Sequence, residues 1–459
     1  MYDTLIIGAG MSGLAAGIRL AHFGQRVAIL ERHYTIGGLN SFYRLGGRNY
    51  DVGLHALTNI TPKGTKRGPL ARLLRQLRFS WDDFAIAPQN GSQIAFPGAR
   101  LAFSNDFELL RSEVARQFPA QTDPFDRLTA AIVDYDDLTD EHQQLSARQV
   151  VGEYLTEPML VEMLFCPLMF YGSAREHDMD WGQFCIMFRS IFLEGLGRPY
   201  AGVRLILKLL VKKYRALGGE LKLRAGVKRI LTDDGRAVGV ELEGGTQLMA
   251  RQVLSSAGWC ETMKMCDDGA AVSSRSPGQL SFCEAIATLD VPPSQLPYHD
   301  TITFFNDSHR FHWQRPEHAL CDVRSGVICS PDNFGYDEPL GDEGTLRVTV
   351  LADHQAWRSL PREIYAREKF RWWDRIMGSA ARFVPEFRSR VVATDMFTPS
   401  TIVRYTGHDN GAVYGAPQKQ LDGTTHLENL FLCGTDQGFV GIVGAIMSGI
   451  SMANMHCLK

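Results

Sequence analysis

Tyr2-Asp3-Thr4-Leu5-Ile6-Ile7-Gly8-Ala9-Gly10-Met11-Ser12-Gly13 opens on a strand-length apolar run and closes on glycines spaced G-x-G-x-x-G. Residues 14–23 continue in a helical pattern. Arg26-Val27-Ala28-Ile29-Leu30 reads as a second strand and ends in Glu31. Strand, glycine turn, helix, strand and acid together form the βαβ fingerprint of a dinucleotide site. Gly8 permits the tight turn out of the strand. Gly10 lets a pyrophosphate approach the backbone, and Gly13 lets the helix pack close to the strand. The helix start at Met11 and Ser12 offers unpaired N–H groups and a partial positive charge to phosphates. Glu31 stands where its carboxylate can accept hydrogen bonds from both ribose hydroxyls.

The residues after the acid decide which dinucleotide is meant. Arg32-His33-Tyr34-Thr35-Ile36-Gly37-Gly38-Leu39-Asn40-Ser41-Phe42 carries a Gly-Gly pair, and Gly47-Arg48-Asn49-Tyr50-Asp51-Val52-Gly53-Leu54-His55 follows. In these stretches the chain resembles the FAD-binding proteins of the amine oxidase and phytoene desaturase superfamily. Those proteins follow the acid with Gly-Gly, then an aromatic residue, an aspartate, a glycine and often a histidine. The resemblance implies FAD as the cofactor, held in part by Arg32, Gly37, Gly38, Leu39, Asn40 and Ser41. It also implies that His55 lies near the isoalloxazine.

A second signal stands at the other end of the chain. Asn429-Leu430-Phe431-Leu432-Cys433 reads as a strand, Gly434-Thr435-Asp436-Gln437-Gly438-Phe439-Val440 as a loop, and Gly441-Ile442-Val443-Gly444-Ala445 as the start of a helix. By the resemblance, Asp436 or its backbone would contact the ribitol–phosphate portion, and Gly434 would bind the cofactor beside it. The helix start at Gly441, Ile442 and Val443 would aim its dipole at the flavin N1–C2=O edge. Between the two ends, residues 200–217 read as an amphipathic helix. Strand-like runs follow at 220–223, 227–231, 237–242, 247–249 and 252–256, with turns at Asp234-Gly235 and Gly244-Gly245. The resemblance returns the chain here to the cofactor domain, with the Val227 backbone at the adenine.

The expected architecture is α/β: a Rossmann-like FAD-binding domain of the glutathione reductase and p-hydroxybenzoate hydroxylase type, with an intermixed α+β substrate domain. Cofactor segments are expected at 1–80, 199–262 and 395–459, and substrate segments at 81–198 and 263–394. A chain of 459 residues has room for about two or three domain-sized units. Its 45% hydrophobic and 22% charged content is ordinary for a globular protein.

Composition narrows the partners. A net charge of -3 argues against nucleic acid held by phosphate neutralisation. Nine cysteines, with no CxxC, read as scattered buried thiols in a reducing compartment. No leader is apparent at the first apolar run, which ends in glycines and lacks a basic flank. No apolar stretch reaches the ~20 residues of a membrane span. The expected location is cytoplasmic, with peripheral membrane contact as an added reading. That reading rests on residues 63–81, where Lys63, Lys66, Arg67, Arg72, Arg75 and Arg78 alternate with Leu70, Leu73, Leu74 and Leu77. Leucines at i, i+3, i+4 and i+7 share one helical face. Such a helix can lie in an anionic interface, or it can be a surface helix with its leucines in the core.

The substrate segments carry weaker signals. Residues 159–165 and 184–196 are dense in Met, Phe and Leu, which suits either a tunnel for a long apolar ligand or a plain core. Asp136-Asp137-Leu138-Thr139-Asp140 spells DDxxD, but no second acidic cluster faces it, and a solvated helix start is the simpler reading. His309, His312 and His318 lack an acid or cysteine at ligand spacing, so no metal is expected.

The glycines at 438, 441 and 444, together with Thr398-Pro399-Ser400-Thr401 and Arg404-Tyr405, are most similar to the retinol saturase and carotenoid isomerase branch. Gly434-Thr435-Asp436 departs from the Gly-Asp of most desaturases, which leaves the direction of the redox reaction open. The resemblance implies a desaturase, saturase or isomerase of an apolar isoprenoid or polyene, with His55 as the candidate for proton handling. No second dinucleotide fingerprint is present. Electrons would therefore come from or go to oxygen, a quinone or a separate reductase. Two alternatives remain: a flavin amine oxidase, and a prenyl-binding escort of the same fold that holds no FAD.

Overall fold

The computed structural model describes residues 1–136, 145–267 and 275–458. The opening strand Tyr2–Ile7 is almost wholly buried, as a parallel strand covered on both faces must be. It lies at the centre of a parallel array ordered Leu430–Leu432, Gln247–Ser255, Tyr2–Ile7, Val27–Glu31, Glu220–Leu223. Gln247–Ser255 is one unbroken strand where the sequence suggested two. Its first half pairs instead with an antiparallel hairpin, Val227–Asp233 and Arg236–Leu242. Three separate stretches of chain thus build one sheet.

The two glycine-bearing helices meet behind the end of this sheet. Helix Met11–Ala21 leaves the first strand through Gly8, whose φ of 97° suits glycine. A Cβ on Gly13 would lie 2.1 Å from the Gly8 carbonyl oxygen, so the helix rests directly on the turn. Helix Gly441–Met452 follows strand Leu430–Leu432 and packs against the first helix. There a Cβ on Gly449 would lie 2.1 Å from the Ser12 carbonyl oxygen.

A second seven-stranded sheet roofs the first. Its order is Val391–Phe397, Ser281–Leu289, Gly344–Ala352, Cys321–Cys329, Ile302–Asn306, Ser92–Phe96, Ala99–Phe103. All pairings are antiparallel except Ile302–Asn306 with Ser92–Phe96. Val391–Phe397 belongs to this roof, so the domain boundary expected at 394 falls inside a strand. Side chains alternate along Ser281–Leu289. Cys283, Ala285, Ala287 and Leu289 pack with residues of helix Arg362–Ala380, while Phe282 and Glu284 face a cavity between the sheets.

Two apolar segments of the sequence have their side chains placed here. Met163, Leu164, Phe165, Phe184, Phe188 and Phe192 are at most 1% exposed and pack in one core with Ile94, Phe103 and Phe304 of the roof. They form core and line no tunnel. Leu70, Leu73, Leu74 and Leu77 of helix Pro69–Leu77 are likewise buried, against Ile18, Leu207 and Ile446. They are not free to enter a bilayer, and the face left to solvent is basic. Residues 137–140 of the acidic run lie outside the described residues. All nine cysteines are buried thiols that form no disulfide. No helix of the described residues is long and apolar enough to cross a membrane.

Candidate functional site

One cavity of about 1120 Å³ runs from the glycine turn to the roof sheet. That exceeds the ~300–1,000 Å³ typical of a site for a single drug-sized ligand. Gly8, Gly10, Met11, Ser12, Glu31, Arg32, Gly37, Gly38, Leu39, Asn40, Ser41, His55, Val227, Gly434, Gly441 and Ile442 all line it. Gly10 and Gly441 have open space where a Cβ would be, so the cavity reaches the backbone at both helix starts. In the first helix the earliest intrahelical bond runs from the Leu14 N–H to the Gly10 carbonyl at 3.0 Å. The first-turn amides before it are left for a phosphate. These features fit a dinucleotide.

Glu31 does more than the sequence assigned to it. Its carboxylate accepts the Ala9 N–H at 2.9 Å and the His33 N–H at 2.9 Å, one on each oxygen. It ties the glycine turn to the following loop. A carboxylate has about four lone-pair sites, so each oxygen keeps one for a ribose hydroxyl. Asn40 donates to the Gly53 carbonyl at 3.0 Å and Ser41 to the Ile36 carbonyl at 2.6 Å. These two side chains fold the Gly-Gly loop, and what they show the cavity is shaped by that loop.

Three expected contacts fall behind the wall. Gly13 acts only by close packing. Val443 is 2% exposed and belongs to the core. Asp436 faces away from the cavity: its carboxylate accepts the N–H groups of Trp259 at 2.6 Å and Ala416 at 2.7 Å, beside Lys419 at 3.8 Å. The loop needs that acid to gather three segments, which leaves Thr435 at the surface of the cavity in its place.

His55 sits where the cavity meets the roof. Its Nε2 lies 3.0 Å from Thr349 Oγ1 and 3.3 Å from Glu284 Oε2. Thr349 donates to the same Glu284 oxygen at 3.2 Å. The other Glu284 oxygen accepts from Arg347 Nε at 2.8 Å and from its Nη2. Arg347 also holds the Leu54 carbonyl at 2.9 Å and the Asp51 carbonyl at 3.1 Å. Arg198 repeats the clamp, donating to Leu54 O at 2.7 Å, His55 O at 3.1 Å and Asp51 Oδ2 at 2.6 Å. Two buried guanidiniums therefore fix the loop that carries His55. Burial pushes the His55 pKa below its ordinary 6.5, and the Glu284 hydrogen bond opposes this without cancelling it. Burial alone would raise Glu284, but Arg347 and His55 outweigh it and hold the carboxyl at about 2. The imidazole is thus neutral beside an ionised carboxylate.

The remaining wall near His55 is apolar and aromatic: Phe170, Tyr171, Phe282, Val327, Tyr414 and Val440. Phe170 and Phe282 lie 6.1 Å apart by ring centroid, and Phe282 and Tyr414 5.9 Å apart in an edge-on arrangement. Among the described residues no three His, Cys, Asp or Glu side chains gather as a metal-binding group.

Glu284, Thr349, Arg347 and Arg198 were not singled out from the sequence. A signal for two of them was present. Glu284 and Arg347 are lone charges inside otherwise apolar strands, and a charge in a strand buried on both faces needs a partner. Nothing local tells which charge pairs with which.

The pattern of the family described as flavin containing amine oxidoreductase matches residues 11–455. Prolycopene isomerase of Daucus carota chloroplasts is 23% identical, over 99% of this chain and 79% of its own length. The all-trans-retinol 13,14-reductase of Danio rerio is 22% identical, over 99% of this chain and 85% of its own. Among solved structures, an oxidoreductase from Methanosarcina mazei superposes with a TM-score of 0.70 at 17% identity, covering 98% of this chain and all of that one.

Proposed function

The chain belongs to the flavin-containing amine oxidoreductase family, and from that premise we propose an FAD-dependent oxidoreductase acting on carbon–carbon bonds of an apolar isoprenoid or polyene lipid. The reaction is a desaturation, a saturation or an isomerisation. One observation carries the reading. The cavity that holds the dinucleotide features continues without a break into an aromatic chamber against the roof sheet. FAD, when bound, supplies hydride exchange at N5.

The chain's own residues supply the rest. Phe170, Phe282, Tyr414 and Val440 hold an apolar chain and exclude water. The first turns of both helices would hold the phosphates and the flavin edge. His55, neutral near pH 7, is the group placed to take or give a proton. A relative that turns over prolycopene and one that reduces all-trans-retinol support the substrate class. The amine oxidase alternative fits less well, because the carboxylate facing the chamber, Glu284, is already compensated by Arg347. The test is anaerobic. Enzyme carrying reduced flavin is mixed with polyenes, and enzyme carrying oxidised flavin is mixed separately with more saturated polyenes and with amines. Re-oxidation of the reduced form by a polyene, or bleaching of the oxidised form by a more saturated polyene, supports the reading; bleaching by amines alone ends it.

For a further partner, the reading is a bilayer surface that delivers the lipid. Its support is the exposed basic face of Lys66, Arg67, Arg72, Arg75 and Arg78. Vesicles containing anionic lipid should sediment the protein at low salt and release it at high salt. Equal sedimentation with neutral vesicles would remove this part.

A further inference from the structure

Glu284 and Thr349 stand directly opposite one another in the roof sheet, on strands Ser281–Leu289 and Gly344–Ala352. Both side chains converge on His55 Nε2. The hydrogen count at this junction has one consistent solution. An ionised carboxylate can only accept. Thr349 has a single proton and gives it to Glu284 Oε2. Its oxygen can then accept from His55 only if Nε2 carries the hydrogen. The opposite tautomer would set the Nε2 lone pair against a carboxylate lone pair at 3.3 Å. Arg347, with donors only, occupies the far oxygen of Glu284 and keeps the carboxylate from turning.

We propose that Glu284, oriented by Arg347, is a positioning residue that fixes His55 as the Nε2–H tautomer, leaving Nδ1 as its one ring nitrogen able to accept a proton. This rests on the reading of His55 as the proton-handling group. The charged groups around the ring are Glu284 and Arg347 from the roof, Arg198 from strand Gly197–Pro199, and Asp51 from the loop's own strand, Arg48–Asp51. Only Glu284 among them reaches a ring nitrogen.

The arrangement makes a specific demand of Glu284→Gln. Arg347 offers only N–H groups, so the introduced amide must turn its oxygen toward Arg347. Its NH2 then points at His55 Nε2 and donates to it. The ring is driven to the Nδ1–H form, and the lone pair leaves Nδ1. An amide in place of a triad aspartate acts in the same way, by imposing the wrong tautomer.

The experiment uses the holoenzyme with 15N-labelled histidine, above pH 7. The His55 resonances are identified by their loss in His55→Gln. Wild type is expected to show a protonated Nε2 and an unprotonated Nδ1, and Glu284→Gln the reverse. Glu284→Asp, which keeps the charge, is expected to retain the wild-type tautomer. The rate of the flavin reaction with the polyene that reacts fastest in the anaerobic screen should fall ~10²-fold or more in Glu284→Gln, with partial recovery in Glu284→Asp. Loss of stability alone would not exchange the two nitrogens. A protonated Nδ1 in wild type overturns the proposal, and that reading stands even where the Gln variant does not fold. An unchanged tautomer in folded Glu284→Gln also overturns it. Full turnover in His55→Gln removes the reading beneath the proposal, and the proposal with it. An inactive His55→Gln together with a protonated Nδ1 in wild type removes the proposal alone.

Discussion

At the scale of single residues, two carboxylates carry most of the argument, and both are anchored by donors. Glu31 holds two backbone N–H groups that define the glycine turn and the loop after it. Glu31→Gln turns an NH2 toward one of those donors. FAD affinity is expected to fall about tenfold, from a lost hydrogen bond and an unpaired N–H worth ~1–3 kcal/mol. Fluorescence titration of the apoprotein measures it. Glu284 has a folded pKa of about 2 against an ordinary 4.5. A depressed carboxyl stabilises the fold fully above 4.5, and that contribution is lost as pH falls toward 2. Its size is ~3 kcal/mol. His55, also depressed, adds a loss of the same sign as pH falls below 6.5. Glu284→Gln is therefore expected to unfold with a pH slope between 4.5 and 2 that is shallower by about one proton. Arg347→Met leaves Glu284 buried and uncompensated, and should cost ~3–5 kcal/mol. Denaturant melts over a pH series read both effects.

At the scale of elements, the glycines separate binding from packing. Gly10 has φ of -76° and open space at its Cβ position. Gly10→Ala is expected to leave the melting temperature unchanged and to weaken FAD, because the methyl enters the cavity. Gly449→Ala meets the Ser12 carbonyl at 2.1 Å, so the two helices must part. It should lower the melting temperature by several degrees and shed FAD as a consequence. Thermal melts with and without added FAD distinguish the two cases. These elements were legible in the sequence because their signals are local: a strand, a glycine spacing and a helix start lie within a dozen residues. Asp436 shows the limit of such reading. Its position next to Gly434 suggested the ligand, whereas its hydrogen bonds go to Trp259 and Ala416, one of them more than a hundred residues away.

At the scale of the whole molecule, the cofactor half was readable and the chamber was not. Residues 159–165 and 184–196 suited either a lining or a core, and their apolar side chains close a core with the roof sheet. The lining comes from single residues of distant elements, such as Phe170, Phe282 and Tyr414, that no pattern joins. The basic helix shows the same ambiguity. Its leucine spacing is equally that of a bilayer face and a core face, and only the sheet and helices beneath it decide. What the assembled molecule adds is continuity, with one cavity serving both cofactor and apolar ligand. The measurement that tests this most directly is the absorbance of the purified protein, followed anaerobically through photoreduction and addition of a polyene. Flavin bands that bleach on photoreduction and return with a polyene, or that a more saturated polyene bleaches without light, are the expected result. A protein that neither carries nor takes up flavin, or whose flavin responds to amines and to no polyene, would contradict the account.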